Sequence, residues 1–532
     1  MDYFKHILST SSDSNPPPSM PLFSTGESFC YDNGDFCVSI SVILIPKALL
    51  YTVAFTFFFF VVEMWLNFRQ LSCYKIKDVP ADLLSIVRGV EADRKAAAKV
   101  VEKDEDSDKK TNMTSTDEAT LEKDANLVEA TIEKFSKAQV YGQDKMEFSI
   151  VKSLFDIIVE FMFLAIGTTP YLWVVCVGYA SQVSSLNFFP NFLKFEDEEY
   201  LQTFCFFVVS SLFDTVRSLP WSLWSTFKIE EHHGFNKMTL RLYAVDKVKS
   251  FVLSTLIGGP LLMLFIKVIK WGGDNFYVYL WAFFFVVQMV MMTVVPEYIM
   301  PLYNKYMVLP DGKLKTEIYD LAKELEYPLT KLYEVDGSTR SSHSNAYMYG
   351  FWKNKRVVLY DTLIKQLSTH EIMSVLGHEF GHWKLNHSLW NFVITNLYMG
   401  ALFWFYGLCV TSSYSEVIYG SFGFDGGIAG GVPTYIKFAL FASTLWAPVD
   451  KLMSFIMTYK TRVCEFQADR FAVDLGRGSG LKTGLVKMSL ENLGAMASDK
   501  LYSAYHYTHP PVVERISAIT VAMKEKEKAK ED

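Results

Sequence analysis

Seven long apolar runs constrain this chain more than any other feature, at roughly 40–66, 152–180, 203–225, 251–270, 276–298, 389–411 and 435–458. A helix of about 20 apolar residues matches the ~30 Å hydrocarbon core of a bilayer. In a chain of 532 residues, half of them apolar and only 20% charged, a string of soluble domains is the poorer reading. The runs predict a multi-pass membrane protein. The third run carries Asp214 and Arg217, and the last carries Asp450. Charges are costly in hydrocarbon, so these helices are expected to face a protein interior or a water-filled space. For Asp214 and Arg217 a packing ion pair is an equal alternative.

Loop charge gives the orientation. With the N-terminus lumenal, the non-cytosolic pieces are 1–39, 181–202, 271–275 and 412–434, and their only cations are Lys5 and Lys194. The opposite loops collect basic residues, with Lys228, Lys237, Arg241, Lys247 and Lys249 in one of them. An excess of Lys and Arg marks the cytosolic side, which places the C-terminus there. The net charge of −7 gives no reason to expect a nucleic-acid partner. Seven cysteines without a CxxC pair exclude a disulfide scaffold or a zinc ribbon, and only Cys30 and Cys37 are close enough for a local bridge.

Two polar stretches lie between the runs. Residues 90–140 are dominated by Ala, Lys, Asp and Glu, with Phe135 the only aromatic. Such a stretch cannot bury enough apolar surface to fold alone and is expected to be disordered or a fraying helix. Its sequon, Asn112-Met113-Thr114, falls on the wrong side of the membrane for glycosylation. Residues 300–388 read as α+β: Leu314, Ile318, Leu321, Ala322 and Leu325 recur at helical spacing, and Lys331–Val335, Ala346–Tyr349 and Arg356–Tyr360 read as short strands.

A helix from about Ser368 then carries His378-Glu379-Phe380-Gly381-His382. Two histidines four apart project from one helix face, about a turn apart, so both imidazoles can reach one Zn²⁺. The Glu379 carboxylate between them can take a proton from a water on the metal and deliver it to a leaving amine. Gly377 and Gly381 permit close approach of other elements. A third protein ligand is needed. His387, nine residues after His378, falls on the opposite face of a continuous helix, and His370 lies two turns away; both read as surface or packing histidines. Downstream, Arg462-Val463-Cys464-Glu465-Phe466-Gln467-Ala468-Asp469 sets two acids on one face. Glu465 is the better third ligand. Asp469 could accept the outer N–H of a ligand histidine, Arg462 could neutralise the cluster, and Cys464 packs. Near the end, His509 and Arg515, flanking Pro510-Pro511, could stabilise the oxyanion of an attacked amide.

These residues have company. Leu219-Pro220-Trp221, Ile229-Glu230-Glu231-His232-His233-Gly234-Phe235-Asn236-Lys237, Pro301-Leu302-Tyr303-Asn304-Lys305, Ser342-His343-Ser344-Asn345-Ala346-Tyr347 and Leu359-Tyr360-Asp361-Thr362-Leu363 occur in order with the zinc motif, Glu465–Asp469 and Tyr502 through Arg515. From about 140 to 520 the chain resembles the type I CaaX prenyl proteases, integral-membrane zinc metallopeptidases of the endoplasmic reticulum. The resemblance implies an all-α polytopic fold, seven transmembrane helices around a large chamber, with a small α+β zinc-metallopeptidase portion carrying HExxH. It implies removal of the aaX tripeptide from prenylated CaaX proteins, in some members with a second, upstream cut. It implies that His378, His382 and Glu465 bind Zn²⁺ and that Glu379 is the general base. Asp469 would orient a ligand, His509 and Arg515 would lie near the scissile carbonyl, and Asn345-Ala346 would be the edge strand that takes the substrate backbone. Its partners would be prenylated substrates and membrane lipid, at the endoplasmic reticulum and the inner nuclear membrane.

On this reading 1–39 is lumenal, 40–66 the first span, and 67–149 a cytosolic loop holding the insertion. Residues 150–298 hold spans two to five, 299–388 the first metallopeptidase part, 389–458 spans six and seven, and 459–532 the second metallopeptidase part and cytosolic tail. The insertion is longer than the family's usual segment, and Trp224 stands where Tyr is expected. A membrane quality-control zinc protease and a non-catalytic zinc-containing scaffold are the competing readings. The run count and His343–Tyr347 disfavour the first. The intact Glu379 disfavours the second, because a structural zinc needs no general base.

Overall fold

The computed structural model describes residues 29–30, 37–38, 47–104, 126–185, 197–351, 354–412, 414–424 and 431–531. The helices that build and support the site are α1 (Lys47–Tyr74), α2 (Ala81–Asp104), α3 (Leu127–Ile166), α4 (Thr369–Lys384), α5 (His387–Val410), α6 (Ala447–Asp474), α7 (Gly478–Glu491) and α8 (Val512–Glu531). Two-residue strands at Phe29–Cys30 and Cys37–Val38 pair with Cys30 opposite Cys37. The bridge expected between those side chains lies outside the described residues, as does the Asn112–Thr114 sequon.

Among the described residues, α1, Leu240–Trp271, Gly273–Leu302 and α5 are long and apolar enough to cross a membrane. They coincide with the first, fourth, fifth and sixth apolar runs. The other three runs have a different form. The second is divided where α3 ends at Gly167, whose φ of 65° lets its N–H bond back to Leu164 O and Phe163 O; a new helix, Thr168–Ser185, follows. A residue without Cβ takes this left-handed cap at no steric cost. The third is a helix, Glu198–Trp224, that widens into a π-helix at Ser225–Glu230. The last splits into Thr434–Ser443 and α6. Because α6 continues to Asp474, one rigid rod joins the last run to Glu465 and Asp469.

The charges in these runs meet partners or a cavity. Arg217 lies 3.6 Å from Asp214 and 3.9 Å from Asp156. Tyr398 donates its hydroxyl to Asp450 Oδ1 at 2.7 Å. Glu63, Asp156, Glu160, Asp450 and Lys451 line a cavity of about 750 Å³ between the long helices.

The metallopeptidase part is built on a four-stranded sheet, β1 (Tyr306–Val308), β2 (Leu329–Val335), β3 (Ala346–Phe351) and β4 (Asn354–Tyr360), in the order β1-β2-β4-β3. Strands β2 and β4 run parallel and the other pairs antiparallel, which leaves β3 at one edge. Gly350, at φ 111°, opens the β3–β4 turn, where an added Cβ would strike the Asn354 carbonyl oxygen at 2.1 Å. Within this sheet β1 has no counterpart in the sequence reading, since three residues are too few to show alternation. The helix Lys313–Glu324 lays Ile318 and Leu321 against Leu332, Val357 and Leu359. The same cluster takes in Leu376 and Phe380 of α4, Ala472 of α6, Leu481 of α7 and Ile519 of α8. One apolar core therefore fixes the helices that carry the site.

Of the two forms expected for 90–140, disorder or a fraying helix, the described residues take the helix. Residues up to Asp104 belong to α2, and those from Leu127 belong to α3; 105–125 lie outside the described residues. Leu83, Val87 and Val90 of α2, with Leu127 and Phe135 of α3, are buried against Val486 and Leu490 of α7 and Ile516 of α8. Lys482 of α7, almost fully buried, pairs with Asp93. The stretch has too little apolar surface to fold alone, and it folds because the metallopeptidase helices supply the other half of a core.

Candidate metal centre

Helix α4 begins with a capping box: the Ser368 hydroxyl accepts from the Glu371 N–H, and the Glu371 carboxylate accepts from the Ser368 N–H. Lys487 of α7 donates to the same buried carboxylate at 2.8 Å, fixing the start of the helix. One face of α4 is pressed onto α6 at Gly381, where an added Cβ would sit 3.2 Å from Ala468 Cα and 3.1 Å from Phe471. That approach brings Glu465 over the two histidines. His382 Nε2 lies 3.2 Å from Glu465 Oε1, and His378 Nε2 lies 3.5 Å from Glu465 Oε2. The two Nε2 atoms are 3.1 Å apart.

Each outer nitrogen is engaged elsewhere. His378 Nδ1 lies 2.8 Å from Asp469 Oδ1, and the Arg515 guanidinium donates to both Asp469 oxygens, at 2.6 and 2.9 Å. His382 Nδ1 faces His387 Nδ1 at 2.9 Å. The His509 ring, mostly exposed, brings Nδ1 within 2.8 Å of Glu465 Oε2.

The donors fit a divalent cation. Two imidazole nitrogens turned toward one another, with a carboxylate across from both, place lone pairs in mutual repulsion unless a positive charge lies among them. All three ligand atoms lie within 4.8 Å of one another, and Glu465 is buried, 2% exposed. Burial raises the Glu465 carboxyl, but His378, His382 and His509 outweigh it and hold it well below the usual carboxylate range. Burial likewise raises Asp469, and Arg515 with His378 hold it down. Burial lowers the His378 imidazole, yet its bonds to Asp469 and Glu465 push it up to about 9. The pocket is an anionic well that stabilises positive charge.

Two family models match the chain in tandem: "CAAX prenyl protease N-terminal, five membrane helices" over residues 124–305 and "Peptidase family M48" over 309–522. The chain is 43% identical over 396 residues to the CAAX prenyl protease 1 homolog of Oryza sativa subsp. japonica, covering 74% of this chain and 89% of that one. It is 38% identical over 427 residues to the Homo sapiens homolog, covering 73% and 86%. It is 37% identical over 406 residues to the Saccharomyces cerevisiae CAAX prenyl protease 1, covering 74% and 87%. The chain belongs to the CAAX prenyl protease 1 family of M48 peptidases. The crystal structure of S. mikatae Ste24p matches with a TM-score of 0.72 at 32% identity, covering 89% of this chain and 99% of that one. The protein is thus a multi-pass membrane metalloendopeptidase.

In this M48 peptidase the fold brings His378, His382, Glu465, Asp469, His509 and Arg515 into one cluster, with half-buried Glu379 beside His378 and its charge felt by Arg515. Asn345 and Ala346 lie where the edge strand β3 begins. Asn345 is exposed just before the edge strand β3, its carbonyl accepting from Tyr360 N at 3.1 Å, and Ala346 begins the strand. A cavity of about 630 Å³ has His509 and Tyr507 on one wall and Tyr141, Lys145, His343 and Asn492 on another.

Two expectations are corrected here. Arg462 does not neutralise the acid cluster; it donates to Glu514 at 2.8 Å and to the Ser503 and Tyr507 carbonyls, holding the loop that bears His509, while Arg515 supplies the charge. His387 is no bystander. The helix stops at Lys384, Asn386 takes φ 57°, and α5 starts afresh. That break turns His387, which is buried, back onto His382, and its Nε2 meets Gln467 Oε1 at 3.0 Å. The available signal was Asn386, a residue suited to the left-handed region.

Proposed function

We propose that this protein is a zinc-dependent endopeptidase that removes the aaX tripeptide from prenylated CaaX proteins. The convergence of His378, His382 and Glu465, backed by Asp469 and Arg515, carries the reading. A Zn²⁺ held by the three ligands would supply a Lewis acid that makes water nucleophilic at neutral pH. Glu379 takes the proton of the attacking water and returns it to the leaving amine. Asp469 holds the His378 tautomer that leaves Nε2 free for metal, and His382 Nδ1–H donates to His387, which donates onward to Gln467. His509 and Arg515 offer N–H groups and positive charge to the carbonyl oxygen as it becomes an oxyanion. Substrate adds to the free edge of β3 beginning at Asn345 and Ala346, a place where an unpaired strand is otherwise a liability.

The remaining three apolar runs complete a seven-span bundle, whose charged cavity is part of an intramembrane chamber. The N-terminus is lumenal and the C-terminus cytosolic, in the endoplasmic reticulum. Names of relatives at 37–43% identity support the CaaX substrate class. The test compares detergent-purified wild type and Glu379→Gln on matched farnesylated and unprenylated CaaX peptides, with and without chelator. Glu379→Gln retains zinc and loses cleavage by several orders of magnitude. Equal cleavage by both proteins would remove Glu379 from its role, and equal cleavage of both peptides would remove the prenyl requirement.

A further inference from the structure

A second set of two histidines and a carboxylate lies on elements outside the catalytic cluster. Asp144 projects from α3, and His232 and His233 lie in the turn that ends the π-helix Ser225–Glu230. The three donor atoms fall within 4.8 Å of one another. His233 Nε2 is 2.8 Å from Asp144 Oδ2, and the two imidazole rings stand at 82° with centroids 4.9 Å apart. The turn is not a loose loop. Phe235 and Asn236 N–H both bond to Glu230 O, and Gly234 takes φ 81°, so the backbone presents both rings toward α3. His233 is almost wholly covered and Asp144 partly open; His232 is exposed, leaving room for water to complete a tetrahedron.

We propose that Asp144, His232 and His233 form a second cation site, for Zn²⁺ or another borderline divalent transition metal that favours imidazole and carboxylate donors. Bound metal clamps α3 to residues 231–237. The far side of that turn holds the lead-in to the edge strand: Ser342 N bonds to Phe235 O at 3.1 Å, Lys237 N bonds to Arg340 O at 3.1 Å, and the His343 ring stacks on Phe235 at 4.1 Å. The clamp therefore steadies the segment that leads into Asn345 and β3. Without a metal the three groups make only the contact of His233 with the partly open Asp144, a kind of pair that adds little, and His232 has no part.

Untagged full-length protein is dialysed against a buffered Zn²⁺ series and its metal counted by mass spectrometry. Wild type takes up one equivalent more than His232→Ala or Asp144→Asn, each checked for an unchanged unfolding transition. A His382→Ala/Glu465→Ala protein, lacking the catalytic ligands, still takes up one, and adding His232→Ala removes it. Zn²⁺ also slows amide exchange at 231–237 in wild type and not in His232→Ala. Equal stoichiometry in wild type and His232→Ala overturns the proposal and leaves the catalytic reading untouched.

Discussion

Arg515 closes on Asp469 through two hydrogen bonds, Nη2 to Oδ1 at 2.6 Å and Nε to Oδ2 at 2.9 Å, and Asp469 Oδ1 in turn lies 2.8 Å from His378 Nδ1. Both partners are buried. Desolvation offsets most of the attraction in such a pair, so its worth lies in where it puts the carboxylate. It aims the imidazole at the position that Glu465 and His382 also face.

Asp469→Asn removes the charge with little change of shape and leaves the buried Arg515 with only its longer, 3.5 Å carboxylate contact, to Glu465 Oε2. Zinc affinity, measured by chelator competition, falls about 10–100-fold, and thermal stability falls because breaking a buried pair costs about 3–5 kcal/mol. Asp469→Asn/Arg515→Met recovers the stability and not the affinity. Recovery of both would make the pair a packing device alone.

His387→Ala leaves His382 Nδ1 without a protein partner and opens a gap beside Gln467. Zinc affinity falls about 10–100-fold, and His387→Asn, whose Oδ1 can accept the same N–H, recovers much of it. Alanine and asparagine proteins with the same affinity would mean that the contact in place does not orient the ring.

How far the sequence carried the site follows from what each inference needed. The pairs that make up the proposed metal site were legible because helical spacing alone puts His378 beside His382 and Glu465 beside Asp469. Edges of β2, β3 and β4 followed from alternation and turn residues to within two residues. His387 was misread because angular reasoning along a helix holds only while the helix is continuous, and Asn386 ends it. Arg462 and Arg515 are near-equivalent as sequence neighbours of acids; only the packing of α8 against α6 decides which guanidinium reaches Asp469. The docking of 90–104 and 127–140 against the metallopeptidase helices was not legible, since composition reports what a stretch can bury by itself and says nothing of what another segment offers it.

Phe135 tests that last point. It is 1% exposed, within the cluster that joins α2 and α3 to α7 and α8. Phe135→Ala should cost about 3–5 kcal/mol, seen as a lower unfolding temperature and as faster proteolysis of 81–140. Unchanged proteolysis would mean that this helical pair is not held by the metallopeptidase core.

The closest constraint on the metal centre is the contact at Gly381. An added Cβ there would lie 3.1 Å from Phe471 Cβ and 3.2 Å from Ala468 Cα, and Ala468 is one residue from Asp469 and three from Glu465. A single methyl asks α6 to yield by a few tenths of an ångström, which the Phe471 side chain can partly absorb. A branched side chain has no such relief, because the Ala468 contact is with backbone. Gly381→Val therefore carries an overpacking cost of about 1–3 kcal/mol and moves Glu465 and Asp469 together away from His378 and His382. Gly381→Ala should keep most zinc and most activity, while Gly381→Val loses both, with Glu379 and all three ligands unaltered. Mass-spectrometric zinc content of the two purified proteins decides it: a Gly381→Val protein that holds zinc as wild type does would show that the helix contact does not set the separation of the ligands.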